Sequence, residues 1–314
     1  MRLVFCGTPQ FAVPTLKALS RVGHRVDLVL SQPDRASGRG LEVQISPVKQ
    51  YAEQHGLAIA QPEKIRNNTE LQEHLRALSP DAIVIVAYGR LIPLWMLALP
   101  KHGNLNVHAS LLPTYRGAAP IQWAVANGEM ETGVTTMRID EGLDTGDILL
   151  QERVPILPGQ TSVELSPVLA EAGADLMVRT LVGLEQGTLQ ATPQDHRRAT
   201  LAPILEREDG RIDWTRTAQQ IFNRWRGFQP WPGAFTSFRG KKLILHAMEL
   251  AADAPGFNTP PGTLHRTGNR LLVACGEATW LDLLELQVEG KRRLPVEAFV
   301  NGLSLAEGER LDPR

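Results

Sequence analysis

The chain has 314 residues and a formal net charge of -1, with 43% hydrophobic and 21% charged residues. This length exceeds what one ordinary core holds, so we expect two domains, and the composition excludes a disordered protein. The only two cysteines, Cys6 and Cys275, exclude a disulfide framework, and no apolar run is long enough for a signal peptide or a membrane span. We therefore expect a cytoplasmic protein.

The near-neutral net charge conceals regions of opposite sign. Residues 1–50 carry seven basic and three acidic side chains, residues 51–206 carry eleven and eighteen, and residues 207–314 carry fifteen and thirteen. Within residues 207–246 the counts are eight basic and three acidic. This asymmetry favours a polyanionic partner, although scattered solvated charge explains the counts equally well.

Short β-rich runs alternate with helical patterns through the first half of the chain. Strands are expected at residues 3–6, 26–30, 82–87 and 105–107. The alternation predicts an α/β fold, with an open, mostly parallel sheet and helices on both of its faces. Residues 82–87 are apolar without alternation, which indicates a central strand buried on both faces. The pairs Thr8-Pro9 and Ser46-Pro47 predict helix starts, because each places a capping hydroxyl before a proline.

The middle of the chain predicts a further helix and then a change of architecture. A capping-box pattern starts at Thr161, but Pro167 follows so soon that the helix either starts after Ser166 or kinks. Residues 187–211 are turn-rich and polar, which is typical of a linker. The later segments are one amphipathic helix over 217–226 and strand candidates at 242–246, 270–274 and 281–286. This pattern favours a small β-barrel or sandwich with one helix.

Ligands of open parallel sheets bind beyond the carboxyl ends of the strands, so the turns there are the first candidates for a site. The turn that begins at Gly7, directly after the first predicted strand, lacks the glycine spacing of a dinucleotide-binding site. No P-loop motif for ATP occurs in the sequence. Nicotinamide dinucleotides and ATP are therefore disfavoured as ligands.

Residues 104–120 are the segment richest in chemically useful side chains. Alternation along the predicted strand sends Asn106 and His108 to one face, where an amide and an imidazole could stabilise a developing oxyanion. Asp144, in a turn between two glycines, is the best candidate to orient the histidine. A structural histidine and an ordinary turn of solvated acids remain the alternatives. A metal site is disfavoured, because no histidine lies near the acids of residues 140–147.

A long loop of residues 32–40 follows the second predicted strand. It interleaves Arg35 and Arg39 with glycine and serine, and the connection ends near Lys49. Such a loop could contact phosphates and become ordered on binding, and an exposed irregular connection is the alternative.

Several sequence strings resemble the methionyl-tRNA formyltransferases, a family of 10-formyltetrahydrofolate-dependent formyltransferases. They are residues 5–9, 32–35, 38–40, 46–49, 87–89, 106–113, 116–120, 142–147, 211–214 and 230–233. The resemblance covers essentially the whole chain. The Asn-x-His-x-Ser-Leu-Leu-Pro string also occurs in purine-pathway and sugar-nucleotide formyltransferases, so the tRNA assignment depends on the basic loop and the second domain.

The resemblance implies transfer of a formyl group from 10-formyltetrahydrofolate to the amino group of methionine on initiator tRNA, without a metal. It implies Asn106, His108 and Asp144 as the catalytic residues. The implied folate-binding residues are Tyr88, Gly89, Ser110, Leu111, Leu112 and Pro113. The implied tRNA-binding residues are Arg35, Arg39, Lys49 and Arg211. At Leu41 and Glu42 the chain departs from the family, whose loop often carries further basic residues there.

The resemblance also implies the domain organisation. We expect a Rossmann-like catalytic domain over residues 1–188, a linker over 189–207 and a smaller C-terminal OB-like β-barrel domain over 208–314, in a monomeric protein. Two other functions remain open: a sugar-nucleotide N-formyltransferase that uses the same folate donor, and a folate- or RNA-binding protein without catalysis.

Overall fold

The computed structural model describes residues 1–37, 42–253, 255, 259–302, 304–306 and 308–312. The chain divides into two compact units. The first unit comprises Met1–Pro120, Glu131–Pro155 and Glu164–Pro203. The second comprises Ile121–Met130, Ile156–Val163 and Ile204–Arg314. Pro203 is the last residue of the first unit, and the predicted domain bounds with a linker over 189–207 stay a prediction.

The first unit is built on a seven-stranded sheet and a short two-stranded ladder. The strands are β1 (Arg2–Gly7), β2 (Arg25–Leu30), β3 (Arg35–Ser37), β4 (Glu42–Gln44), β5 (Ile59–Ala60), β6 (Ala82–Val86), β7 (Asn104–His108), β8 (Glu131–Arg138) and β9 (Ile148–Pro155). The sheet order is β5-β2-β1-β6-β7-β8-β9, and β3 pairs with β4. The first five strands of the sheet run parallel, whereas β8 and β9 are antiparallel to their neighbours. The predicted mostly parallel sheet is confirmed.

Helices cover both faces of this sheet, as the sequence predicts. The helices in this part of the chain are α1 (Val13–Arg21), α2 (Pro47–Gln54), α3 (Thr69–Leu78), α4 (Leu94–Leu97), α5 (Pro120–Ala126) and α6 (Ser162–Glu185). Leu3 and Phe5 of β1 join one core with α1, α2 and α6, while Val4 and Cys6 join the other with α3 and α4. Successive side chains of β1 therefore point to opposite faces of the sheet and contribute to both cores. Strand β6 is buried at every position, as predicted.

Two of the three predicted helix starts need correction or refinement. Ser46 caps α2, because its hydroxyl accepts from Lys49 N at 3.1 Å. A 3₁₀ helix (Gln10–Ala12) begins close to the predicted start and leads into α1, but Thr8 does not cap it, so the predicted capping role is wrong. The Thr8 hydroxyl donates to Tyr88 O at 3.4 Å and accepts from Gln32 N at 3.3 Å, so it joins the ends of neighbouring strands. Helix α6 starts at Ser162 and continues through Pro167.

The second unit is an antiparallel sheet with helices. Its elements are α7 (Ala218–Gly227), β10 (Phe235–Phe238), β11 (Lys241–Leu250), β12 (Leu264–Thr267), β13 (Arg270–Ala274), β14 (Trp280–Val288), β15 (Leu294–Pro295) and α8 (Val296–Asn301). The strand order is β10-β11-β14-β13-β12, and β15 pairs with β14. The three predicted strands lie within β11, β13 and β14. Helix α8, which the sequence did not reveal, joins α7 in the core of the unit. Among the described residues, no helix has the length and apolarity to cross a membrane.

Candidate active site

Asn106 and His108 lie on strand β7, which is held between β6 and β8. Asn106 pairs with Met137 of β8, and His108 pairs with Thr135. Residues two apart on a strand share a face, so both side chains lie on the same side of the sheet. The His108 side chain is only 6% exposed, whereas Asn106 is half-buried and its amide has no hydrogen-bond partner among the described residues. Asn106 can therefore bind a ligand without losing a protein contact.

The imidazole of His108 lies between two hydrogen-bond acceptors. Its Nε2 atom is 2.9 Å from Tyr115 O, and its Nδ1 atom is 3.6 Å from Asp144 Oδ2. Because a carbonyl and a carboxylate can only accept, the ring donates to both only as an imidazolium. The structure thus brings His108 and Asp144 together from positions 36 residues apart in the sequence, in a polar setting instead of an apolar core.

Asp144 lies in a tight loop between β8 and β9. Its backbone is left-handed, with φ of 51°. A Cβ atom on Gly146 would lie 2.0 Å from Arg138 O, so the loop passes directly against the end of β8. Asp140 holds the turn by accepting from Thr145 Oγ1 at 2.7 Å. In the described parts of the chain, no group of three His, Cys, Asp or Glu side chains could hold a metal ion.

A backbone amide fixes the Asp144 carboxylate. Gly117 N donates to Asp144 Oδ2 at 2.9 Å, which leaves Oδ1 without a hydrogen-bond partner among the described residues. Gly117 has φ of 122°, and a Cβ atom there would lie 2.6 Å from Ala202 O. Only glycine suits this conformation and this close approach. The carboxylate of Asp144, with 17% of its side chain exposed, keeps one oxygen available to a substrate.

Arg116 and Gln194 connect the two loops, and the sequence analysis missed both roles. Gln194 Oε1 accepts from Arg116 Nη2 at 2.6 Å and from Nε at 3.2 Å. Gln194 Nε2 donates to Gly146 O at 2.7 Å and to Asp144 O at 2.9 Å. These partners are backbone carbonyls about 50 residues away, and nothing in a single sequence signals such contacts.

The predicted folate segment after β7 is a turn with an internal hydrogen-bond network. Ser110 is fully buried, and its hydroxyl donates to Thr114 O at 2.6 Å. Leu112 is also buried, and its carbonyl accepts from Gln151 Nε2 at 2.9 Å. Leu111 and Pro113 are half-buried. The turn is therefore rigid, and the half-buried residues are the ones whose side chains reach its surface.

Tyr88 and Gly89 follow β6, the strand next to β7. The Tyr88 side chain is 1% exposed and packs in the core beneath α3 and α4, where burial raises the pKa of its hydroxyl. The backbone carbonyls of Tyr88 and Gly89 accept from Gln32 Nε2 at 2.8 Å and 3.3 Å. Only the backbone of Tyr88 is thus placed at the carboxyl end of the sheet, and its ring belongs to the core.

The predicted basic loop is partly a β-ladder in which Arg35 pairs with Gln44. Arg39 lies outside the described residues. Lys49 Nζ donates to Asp34 Oδ2 at 2.5 Å, and this hydrogen bond lowers the pKa of Asp34 and raises that of Lys49. Lys49 therefore anchors the base of the loop.

A concavity in the second unit is lined by three arginines and by two acidic residues, Asp209 and Asp213. Arg211, Arg216 and Arg224 line one concavity together with Trp225 and Phe228. Arg224 also stacks on Phe228, with its guanidinium carbon 4.8 Å from the ring centroid. Three arginines of this region thus share one surface.

Arg226, two residues after Arg224 on α7, has an internal position. Arg226 is only 6% exposed, and it donates to Gln160 O at 2.8 Å and to Asn223 Oδ1 at 2.6 Å. Burial lowers the pKa of its guanidinium. Arg226 is therefore a structural residue.

Comparisons with known proteins match the chain over both units. Family models match as formyl transferase over residues 1–181 and as formyl transferase, C-terminal domain, over residues 204–304. The methionyl-tRNA formyltransferase of Acidobacterium capsulatum is 61% identical over 311 residues, which are 99% of each chain. That of Koribacter versatilis is 57% identical over 99% of this chain and 98% of its own.

A solved structure shares the fold at much lower identity. It is an N-formyltransferase from Helicobacter canadensis in complex with folinic acid and dTDP-3-aminofucose. It is 19% identical, with a TM-score of 0.68, over 90% of this chain and 98% of its own.

Proposed function

The chain belongs to the formyl transferase family, and we propose that it transfers a formyl group from 10-formyltetrahydrofolate to the amino group of methionyl initiator tRNA. The product, formylmethionyl-tRNA, supplies translation initiation. Two relatives that match over nearly their full length, at 61% and 57% identity, are named methionyl-tRNA formyltransferase. The N-formyltransferase of known structure is only 19% identical. The observation that carries the chemistry is the His108 to Asp144 contact at 3.6 Å beside the amide of Asn106, which no described residue contacts by a hydrogen bond.

The reaction starts when the neutral amine attacks the formyl carbon. A tetrahedral intermediate forms, and its oxygen becomes negative. Asn106 donates an amide N–H to this oxygen, and the adjacent His108 imidazolium, whose two N–H groups face Tyr115 O and Asp144 Oδ2, stabilises it by its positive charge. Both groups act more strongly on the oxyanion than on the neutral formyl group, which is the condition for catalysis.

Proton transfer completes the reaction. The attacking amine becomes positively charged and must lose a proton, which Asp144 accepts at its unpartnered Oδ1 oxygen. The bond between the formyl carbon and the folate nitrogen then breaks, and that nitrogen takes up a proton. The His108 imidazolium gives one of its protons to the leaving nitrogen and then takes the proton held by Asp144 in its place.

The folate co-substrate is proposed to bind at the carboxyl ends of β6 and β7. These strands are parallel neighbours, so Tyr88 and Gly89 lie beside the segment Ser110, Leu111, Leu112 and Pro113. Such strand ends are where open α/β sheets bind their ligands. The burial of Tyr88 and Ser110 supports contacts through their backbone groups and through the half-buried Leu111 and Pro113. No metal takes part in the proposed reaction.

The tRNA is proposed to contact basic residues of both units. Arg35 lies in β3 and Lys49 in α2, Arg39 comes between them in the sequence, and Arg211 lines the concavity of the second unit. Arginine binds phosphate through a planar fork of donors, which suits a nucleic acid backbone. We infer that the enzyme acts as a monomer in the cytoplasm, where translation begins.

A formylation assay tests the proposed function. The protein is incubated with 10-formyltetrahydrofolate and either charged initiator tRNA or a nucleotide-linked amino sugar. We expect formylmethionyl-tRNA as the product, and uncharged tRNA serves as the control. Formylation of the sugar alone would contradict the proposal and support the sugar-nucleotide enzyme. Binding of folate or tRNA without any product would support a non-catalytic binding protein.

A further inference from the structure

Gln194 is a buried polar residue to which neither the reaction nor the folate and tRNA contacts assign a role. It lies in the irregular segment after α6 and is 6% exposed. Its amide nevertheless makes four hydrogen bonds, two to the Arg116 guanidinium and two to carbonyls of the Asp144 loop. A buried side chain with its donors and acceptor in use has a strongly defined orientation.

We infer that Gln194 is a positioning residue that sets the separation of His108 and Asp144, an inference that rests on the catalytic roles given under the proposed function. Arg116 is the residue between the two backbone groups that contact the catalytic side chains. Tyr115 O contacts His108 Nε2, and Gly117 N donates to Asp144 Oδ2. The Gln194 side chain therefore binds backbone carbonyls of the Asp144 loop. Through Arg116 it also binds the segment whose Tyr115 carbonyl contacts His108.

The surrounding contacts fix the Gln194 segment itself. Thr200 O accepts from Arg116 N at 2.8 Å, and Arg116 O accepts from Ala202 N at 2.7 Å. Thr192 pairs with Ile148 through two backbone hydrogen bonds of 2.8 Å. The segment is thus paired on one side with the loop after β7 and on the other with the start of β9. Gln194 lies between these attachments.

The contacts of Gln194 use both the carbonyl oxygen and the NH₂ group of its side-chain amide. The Oε1 atom accepts from a guanidinium, and the Nε2 atom donates to two carbonyls at 2.7 Å and 2.9 Å. A glutamate would keep the contact with Arg116 but would place a carboxylate oxygen against two carbonyl oxygens. The Gln194→Glu variant therefore removes the contact with the Asp144 loop selectively, and Gln194→Ala removes both contacts.

Steady-state kinetics test this role. We expect Gln194→Ala and Gln194→Glu to lower kcat by roughly ten- to a hundredfold, because small misplacements of catalytic groups have effects of this size. The KM values for charged tRNA and for the folate should change by less than about threefold, since neither proposed substrate site includes Gln194. We expect Gln194→Glu to lower the melting temperature less than Gln194→Ala does, because it keeps the side-chain volume and retains Arg116 as an ion-pair partner.

A double-mutant cycle separates positioning from a general structural role. In an Asp144→Asn background, the Gln194 substitutions should lower the remaining rate by less than about threefold, because residues that act as a unit lose activity together. If Gln194→Ala does not fold, Gln194→Glu is used in the same cycle. Independent, multiplicative losses, or a defect confined to KM, would overturn the inference.

Gln287 is the matched control for a glutamine that joins two groups. Its Nε2 atom donates to Lys291 O at 2.9 Å, and its Oε1 atom is 2.8 Å from His246 Nε2. Gln287→Ala should leave kcat unchanged, and an equal loss there would overturn the specific role of Gln194. An inactive wild-type protein would contradict the proposed function itself. An active wild type with unaffected Gln194 variants would overturn only the positioning role.

Discussion

Asn106 and His108 share a strand face but differ in how much of each side chain the protein already uses. Both ring nitrogens of His108 face protein acceptors, whereas the Asn106 amide has no partner in the described part of the chain. The pairing of these side chains could be predicted, because alternation along a strand is a local property. The contacts of Tyr115 O and Gly117 N could not, because they depend on loop conformations that residue types do not determine.

Replacement of Asn106 tests its role as the oxyanion donor. We expect Asn106→Ala to lower kcat by about two to three orders of magnitude, the usual effect of removing one such donor. The measurement is the rate of tRNA formylation at saturating substrates. The KM for charged tRNA should change little, because the contact forms mainly in the transition state.

Asn68 provides the control for this substitution. Its side chain caps α3 by accepting from Leu71 N at 2.9 Å, at a position that contacts none of the proposed site residues. Asn68→Ala should lower the free energy of unfolding by about 1 kcal/mol and leave kcat unchanged. A near-native rate for Asn106→Ala would show that Asn106 does not stabilise the transition state.

The positions of most strands could be predicted from the sequence. For the loops that hold the site, the sequence predicted only that the chain turns there, and not their conformation or contacts. Buried parallel strands have continuous apolar sequences, and β6 is the clearest example. The short ladder of β3 and β4 contains arginine and glutamate and has no such pattern, so the sequence indicated only a loop there. The capping role of Thr8 was wrongly predicted for a related reason: its hydroxyl forms hydrogen bonds with distant segments, and local capping rules do not include these.

The tight packing of the Asp144 loop leads to a prediction for Gly146. A Cβ atom there would lie 2.0 Å from Arg138 O, a backbone atom that cannot rotate away. Gly146→Ala should therefore displace the loop and separate Asp144 from His108. We expect kcat to fall by roughly tenfold or more, since catalysis depends on this spacing, together with a lower melting temperature.

Gly302 is the matched control for an added methyl group. It ends α8 at φ of -90°, and a Cβ atom there would meet its nearest neighbour, Ala298 O, at an ordinary 3.5 Å. Gly302→Ala should leave kcat unchanged. Native kinetics for Gly146→Ala would show that the loop tolerates displacement, in conflict with the proposed dependence on its geometry.

Along the chain, an acidic segment over residues 51–206 lies between two segments with an excess of basic side chains, residues 1–50 and 207–246. The sequence revealed the excess of basic residues over 207–246, because counting charges needs no fold. It could not reveal which arginines share a surface. Arg211, Arg216 and Arg224 line one concavity, whereas Arg226 is buried against Gln160 and Asn223. Only the packing of α7 shows that Arg226 is internal.

The contribution of the second unit to tRNA binding can be measured through its salt dependence. Replacing one arginine that binds a phosphate should reduce the slope of log Kd against log salt concentration by about one. Arg211→Gln should therefore weaken tRNA binding most at low salt, while kcat at saturating tRNA and the KM for the folate stay unchanged. Arg292→Gln, at an exposed position outside the concavity, changes the net charge equally. An equal effect of both substitutions would indicate long-range attraction to the chain as a whole, and would argue against phosphate contact at the concavity.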